Sequence, residues 1–409
     1  MEDIGDALAA EADVSVTCLP DGSVDRRYAV EDAAGDVESR RSLGRRIATG
    51  HAKSFLVDHE DTEPGGQSVN AARQAHALGA MTTLYGHLDH EVFDGLPFAT
   101  RSMGRPADVA VLEFDDDAVM FTEESPDIAE WGLADLDAAA GDADPFDADA
   151  LVWTNWASVR EGTAAVRAFA GGAARAGAGG GSGRNGADGE RGANGGRDGN
   201  SKRDANGGRD AANGTDESGG WLVVDPGDVT VRDRDAVGPF LDALAGIDGR
   251  DVALSVNDDE LAFLAAAVAD DASANGGDMS VSDENTAGTD DDSPTNGDRA
   301  SASDDVSAQL ARVRERASLD LAVFHGARAA VARDGTGTTR CPNVAVEARR
   351  YTGGGDRFSA GLAYALAAEW ALDDALTLAN ACASFYVSHA ETAGPDRLAA
   401  WLATRAGDS

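Results

Sequence analysis

Strands and helices alternate in the hydrophobic pattern of this chain. Short runs rich in β-branched and aromatic residues fall at 13–19, 81–84, 150–154, 221–224, 252–256 and 321–324, each bounded by polar residues or glycine. Runs of that length predict strands buried on both faces of a parallel sheet. Alanine-rich stretches with helical spacing lie between and after them, at 69–78, 237–244, 260–268, 358–370 and 373–388. The alternation predicts a doubly wound α/β sandwich. A second set of short runs, at 28–31, 47–48, 109–114 and 118–121, alternates apolar with charged residues. That pattern predicts a half-exposed antiparallel sheet, a small flap or lid beside the main one.

Two stretches interrupt the pattern. Residues 171–220 contain no Val, Leu, Ile, Met or aromatic residue, and 18 of the 50 are glycine. Residues 272–306 carry nine acidic residues against one basic residue, Arg299. Neither stretch buries enough apolar surface to offset its ordering entropy, so both are expected to be disordered insertions. The arginines at 175, 184, 191 and 197 are interleaved with aspartates and lack aromatics. This favours a spacer over an RNA-binding tract. What remains is a single α/β domain over 1–409, with lid elements at about 25–60 and 105–122.

Composition narrows the partners. The 409 residues are 42% hydrophobic and carry a formal charge of −39, which argues against nucleic acid or an anionic membrane as a partner. Lys53 and Lys202 are the only lysines; an acidic, lysine-poor chain is expected in a protein adapted to high salt. Three widely spaced cysteines, Cys18, Cys341 and Cys382, offer neither a disulfide framework nor a zinc site. The start of the chain does not resemble a signal peptide, and no apolar run reaches membrane-spanning length. A cytoplasmic location is expected. The seven histidines show no metal-ligand spacing, and His325 is read as a loop residue.

Three segments carry candidate chemistry. In Thr352-Gly353-Gly354-Gly355-Asp356-Arg357-Phe358-Ser359-Ala360-Gly361, three glycines run into a helix. Their amides and the helix N-terminus can form an anion hole, with Asp356 placed to take a proton from an attacking hydroxyl. A glycine turn with Asp356 as an ordinary N-cap is the alternative. Gly65-Gly66 followed by Asn70 can offer an amide to a polyhydroxyl ligand, or can simply be a hinge before a capped helix. Asn257 and Glu260, at the carboxyl end of a strand, can organise magnesium through water, or can form a capping box.

In this order the three segments resemble the PfkB (ribokinase-like) carbohydrate kinases. The resemblance extends to Pro20-Asp21-Gly22-Ser23-Val24-Asp25 after the first strand, to Gly86–Phe93, to Asp225-Pro226-Gly227 and to Ala379–Ala383. It implies a ribokinase-like three-layer α/β/α sandwich with a β-sheet lid. The implied activity is phosphoryl transfer from a magnesium–nucleotide, ATP or ADP, to a hydroxyl of a sugar, sugar phosphate or nucleoside. It further implies Asp356 as the base, Gly353, Gly354 and Gly355 as the anion hole, and Asn257 and Glu260 as organisers of Mg2+ and the phosphates. Asp25, Gly65, Gly66 and Asn70 would hold the acceptor. Gly326, Asn380 and Ala383 would meet the nucleotide, and no residue is assigned as a direct metal ligand. A homodimer through the lid also follows from it.

The departures from the family pattern are local. Arg350 replaces an acidic residue tied to a monovalent-cation site, and 324–329 lacks the usual T-x-G-x-x-G. Arg26 and Arg27 follow Asp25, and Arg349 and Arg350 precede the glycines. Arg27 and Arg350 are therefore expected to bind an anionic acceptor such as ribose 1-phosphate or a fructose phosphate, since guanidinium groups grip phosphate bidentately. A dehydrogenase would need G-x-G-x-x-G after the first strand, which is missing. A non-catalytic sugar-binding protein on the same fold is the competing function.

Overall fold

The computed structural model describes residues 7–8, 12–32, 35–50, 54–115, 117–167, 169, 219–275, 296–350 and 352–406. From β1 (Ser15–Leu19) the chain builds β2 (Ser23–Asp32), β3 (Gly35–Asp36), α1 (Arg40–Ala48) and β4 (Leu56–Gly65). Helix α2 (Gln67–Ala77), β5 (Met81–Gly86) and β6 (Ala99–Ser102) return to the body. Next come β7 (Ala107–Glu113), β8 (Ala118–Glu123), α3 (Leu133–Ala140), β9 (Ala150–Thr154) and β10 (Trp221–Asp225). They lead to α4 (Val237–Ala245), β11 (Asp251–Val256), α5 (Asp258–Asn275) and α6 (Asn296–Ala317). Strands β12 (Leu321–His325), β13 (Ala329–Arg333) and β14 (Thr338–Pro342) precede α7 (Gly354–Ala367), α8 (Leu372–His389) and α9 (Pro395–Ala406).

Nine strands form the main sheet in the order β14-β13-β12-β11-β10-β9-β1-β5-β6. Pairing is parallel from β6 to β12 and antiparallel for β13 and β14. The period-two alternation of side chains divides the buried residues between two faces. Val16, Val152, Val223, Ala253 and Val323 pack with α2, α7 and α8 on one face. Leu151, Trp153, Leu222, Val224 and Leu254 pack with α4, α5 and α6 on the other. The result is a three-layer α/β/α sandwich. Strands β2, β3, β4, β7 and β8 form a separate five-stranded sheet, whose own small core is Val30, Val37, Leu43 and Phe114.

The six strands and five helices expected from the pattern are present, with boundaries shifted by a few residues. The lid differs. Residues 47–48, expected as a strand, end helix α1, which is started by Ser39 accepting a hydrogen bond from the Ser42 amide at 3.0 Å. Leu43 and Ile47 stand one helical turn apart, a spacing that two residues of strand-like sequence do not reveal. The fourth large lid strand is β4 instead, antiparallel to β2. Its sequence, LVDHEDTEPG, carries four carboxylates in ten residues and is mostly exposed.

The acidic insertion also needs correction. Residues 272–275 end α5 and 296–306 begin α6; positions 276–295 lie outside the described residues, as do 171–218 of the glycine-rich insertion. Helix α6 is anchored by Leu310, Val313 and Ala317 in the core. Once such a helix is nucleated, each further residue adds a hydrogen bond, so small polar residues upstream can join it. Leu310→Ala should therefore destabilise the protein by about 2–5 kcal/mol. Val231→Ala, at a position 68% exposed outside the lid, should change stability by less than about 0.5 kcal/mol. Denaturant midpoints measure both.

Candidate active site

The carboxyl ends of β1, β10, β11 and β12 and the N-termini of α2, α5 and α7 enclose a cavity of about 870 Å³. This is where open parallel sheets bind ligands. Among its lining residues are Asp21, Asp25, Arg27, Gly66, Asn70, Asp225, Asn257, Glu260, His325, Gly353, Gly355 and Asp356. Residues about 290 positions apart in sequence thus share one wall.

Asp356 sits in the first turn of α7. Gly353 caps that helix with φ +82°, a left-handed conformation that favours glycine. An added Cβ at Gly353 would lie 2.8 Å from Arg357 Nη1, so close approach demands glycine as well. The Asp356 carboxyl is only 7% exposed and accepts a hydrogen bond from Asn70 Nδ2 at 2.8 Å. Burial, reinforced by the negative charge of Asp225, pushes its pKa up to about 7, against the opposing pull of Asn70 and Arg357. Asp225, at the end of β10, accepts from Ser359 Oγ at 2.9 Å and is likewise raised by burial.

Two further acids hold helix ends. Helix α2 starts at Gly66, which has no side chain to cap it. Asp21 reaches across instead, accepting from the Gln67 amide at 2.9 Å and the Ser68 amide at 2.7 Å. Asn257 and Glu260 cap α5 reciprocally: the Asn257 amide donates to Glu260 Oε2 at 2.9 Å, and the Glu260 amide to Asn257 Oδ1 at 3.1 Å. Both also line the cavity. The capping box and the site-facing arrangement coexist. Burial and the charge of Asp225 hold the Glu260 carboxyl well above its ordinary range.

The acceptor wall shows why two glycines precede Asn70. A Cβ at Gly65 would collide with the Asp25 carboxylate, and one at Gly66 (φ +100°) would lie 2.8 Å from Gly22 Cα. Asp25 accepts from Ser23 Oγ at 2.6 Å. The arginines are not free. Arg27, 3% exposed, pairs with Glu63 and Glu113, each at 2.6 Å. Arg350 joins the same two carboxylates at 3.4 and 3.3 Å. The charges of these two arginines and two glutamates balance one another, and of the two arginines Arg27 lines the cavity.

The cavity lining does not include Gly65, Gly354, Arg350, Gly326, Asn380 or Ala383. Gly326 lies in the β12–β13 turn, its carbonyl accepting from Asn343 Nδ2 at 2.7 Å, and buried Asn380 donates to the Cys341 carbonyl at 3.2 Å. His325 is no loop residue. It ends β12 and lines the cavity against Gly355, 5.0 Å from the Phe358 ring, and burial lowers its pKa to about 4, keeping it neutral. Sequence reasoning missed Asp21, Asp225 and Arg357 as site residues. Their signal was position: an acid at or just after the end of a buried strand, or the residue directly after Asp356.

Residues 295–397 match the model of the pfkB family carbohydrate kinases. The match covers about a quarter of the chain. Its fold is shared with ribokinase from Cryptococcus neoformans solved with ADP (TM-score 0.58, 12% identity, 95% of this chain and 99% of that one). Burkholderia thailandensis nucleoside kinase, solved with inosine, gives a TM-score of 0.56 at 15% identity over 96% and 99%. Escherichia coli phosphofructokinase-2, solved with substrates and products, gives 0.54 at 14% over 96% and 100%. No curated protein matches in sequence. All three cysteines are free, and among the described residues no helix is long and apolar enough to cross a membrane.

The raised Asp356 pKa has a consequence for stability. A carboxyl whose folded-state pKa lies above its unfolded value near 3.9 binds its proton more tightly in the native state. That contribution is complete below the unfolded pKa and is lost as pH rises through about 7. Asp356→Asn removes the titration. It should raise Tm by about 2–5 °C at pH 8 and by much less near pH 5, measured by thermal melts.

Proposed function

We infer that this PfkB-family protein transfers a phosphoryl group from a magnesium–nucleotide to a hydroxyl of an uncharged polyhydroxy acceptor, a free sugar or a nucleoside. One observation carries the reading: a buried carboxyl with its pKa near 7 stands in the first turn of a helix whose start is a run of glycine amides. Asp356 would accept the proton of the attacking hydroxyl, while the amides of Gly353, Gly354 and Gly355 steady the transferring phosphoryl group. Asp25 and Asn70 would orient the acceptor.

The acceptor is taken as uncharged because Asp25 and Glu124 line its end of the cavity, while Arg27 and Glu63 are paired with each other and Arg73 is a further cation of the lining. An added phosphate would meet carboxylates, and like charges brought together in a partly buried site repel strongly. Val109, Met120 and Ile128 add an apolar patch to this lining, which favours a nucleoside as the second reading.

Magnesium bound with the nucleotide would neutralise phosphate charge. Among the described residues no cluster of three or more His, Cys, Asp or Glu is arranged to hold a metal. The cation would be held through phosphates and water, with Asn257 and Glu260 receiving the waters. ATP and ADP are both open as donors. A second copy of the chain is proposed to cover the lid, where Leu56, Val57, Met120 and Phe121 stand more than half exposed.

Purified protein should be assayed at high KCl with magnesium, crossing ATP and ADP against free sugars, nucleosides and their phosphates. Turnover with an uncharged acceptor is expected, and Asp356→Asn should lower kcat by about 10²–10⁴-fold. The phosphate ester of the same acceptor should show kcat/KM lower by about tenfold or more. Preference for the phosphorylated acceptor would overturn the assignment of acceptor class. Sugar binding without turnover by folded protein would favour a non-catalytic binding protein.

A further inference from the structure

Directly after Asp356 stands Arg357, an arginine buried to 2% exposure. Arg357 has every nitrogen engaged. Nη1 donates to the Gly353 carbonyl at 2.8 Å, Nη2 to Asn70 Oδ1 at 3.3 Å, and Nε to Thr392 Oγ1 at 3.4 Å. Its guanidinium carbon lies 3.3 Å from the Tyr386 ring centroid, stacked on the face. One planar cation therefore ties the capping glycine, the amide of Asn70, the segment before α9 and a ring of α8 to one another. Burial on this scale is costly for a charge without such partners.

We propose that Arg357 is a positioning residue that fixes the Asn70 amide so that its Nδ2 donates to Asp356. The logic is one of donors and acceptors. A guanidinium can only donate, so the Asn70 atom facing it must be the carbonyl oxygen. The amide nitrogen is then turned to Asp356 Oδ2, at 2.8 Å. Because that nitrogen can only donate, the facing oxygen must accept, which favours the ionised carboxylate that a base requires. Without the arginine, the amide is free to rotate and present its oxygen, which favours the protonated acid. The proposal rests on Asp356 being the base.

The charges around the pair set the sign of the effect. Asp225 at the end of β10 and Asp21 after β1 raise the Asp356 pKa, and Arg357 and the Asn70 hydrogen bond lower it. Glu260 on α5 is within electrostatic reach of the same carboxyl. Around Arg357 itself stand Tyr386 on α8, Arg73 on α2 and Glu63 on β4. Removing Arg357 or the Asn70 amide should therefore raise the pH at which the base ionises.

The test is the pH profile of kcat for wild type, Arg357→Met, Arg357→Lys, Asn70→Ala and the Arg357→Met/Asn70→Ala double variant, with Asp356→Asn as control. Arg357→Met and Asn70→Ala should each move the acid limb up by about one pH unit. For Arg357→Met this is a loss of about tenfold below the midpoint with activity recovering at about pH 9, whereas Asn70→Ala should also raise the acceptor KM at every pH because Asn70 orients the acceptor. Lysine keeps the charge but not the fork, so its shift should be smaller but present. The double variant should shift by less than the sum of the two single shifts, because the hydrogen-bond contribution is shared and only the direct charge of Arg357 adds to it. An unmoved midpoint with kcat lowered equally at every pH, or additive shifts in the double variant, would overturn the proposal. If Arg357→Met does not fold, the Arg357→Lys midpoint decides in the same way. Full activity in Asp356→Asn would instead strike down the proposed base and leave the fold around Arg357 untouched.

Discussion

Everything distinctive about this protein depends on keeping acidic groups buried together at one edge of its sheet. Asp21, Asp225, Glu260 and Asp356 are each less than 8% exposed, and burial holds Asp225, Glu260 and Asp356 above the ordinary carboxylate range. Their tolerance comes from the architecture. In a parallel sheet, strand ends and helix starts face the same edge, so the positive ends of α2, α5 and α7 surround the carboxylates. Direct hydrogen bonds do the rest: Asp21 caps α2, Glu260 caps α5, and Asp356 receives Asn70. The same helix starts that stabilise these acids are suited to an incoming phosphate. Structure and proposed chemistry thus draw on one set of dipoles.

The lid solves the opposite problem. It must stand over the cavity with little core of its own, and its β4 strand is acidic and mostly exposed. Arg27, Glu63 and Glu113 join three of its strands, and Arg350 links them to the segment that enters the glycine turn. Partly buried and mutually neutralised, these four charges set geometry more than they attract ligands. A protein of net charge −39 keeps its few buried cations at work inside, as with Arg357 beside the base.

Much of this was legible in the sequence, and the exceptions have physical causes. The strands of the main sheet announce themselves because both faces are buried, leaving uninterrupted apolar runs such as ALVWT and WLVVD. The glycines at 353–355 with Asp356 were legible because few other arrangements need three glycines at a helix start. Strand β4 was hidden: a lid strand exposed for most of its length shows no apolar alternation, and its pairing with β2 is a property of the fold. The carboxylate partners of Arg27 and Arg350 were hidden because a sequence displays charge but not partners. Asn257 and Glu260 could not be resolved between capping and function, and the structure has them doing the first while facing the cavity.

The central claim is that Asp356 is a base whose readiness is set by burial and by the acid beside it. A carbon-13 carboxyl NMR titration, with Asp356 assigned by comparison with Asp356→Asn, measures this directly. The account predicts a midpoint near 7 that moves down when Asp225→Asn removes the neighbouring charge. A midpoint in the ordinary aspartate range of about 4, unmoved by that substitution, would contradict it.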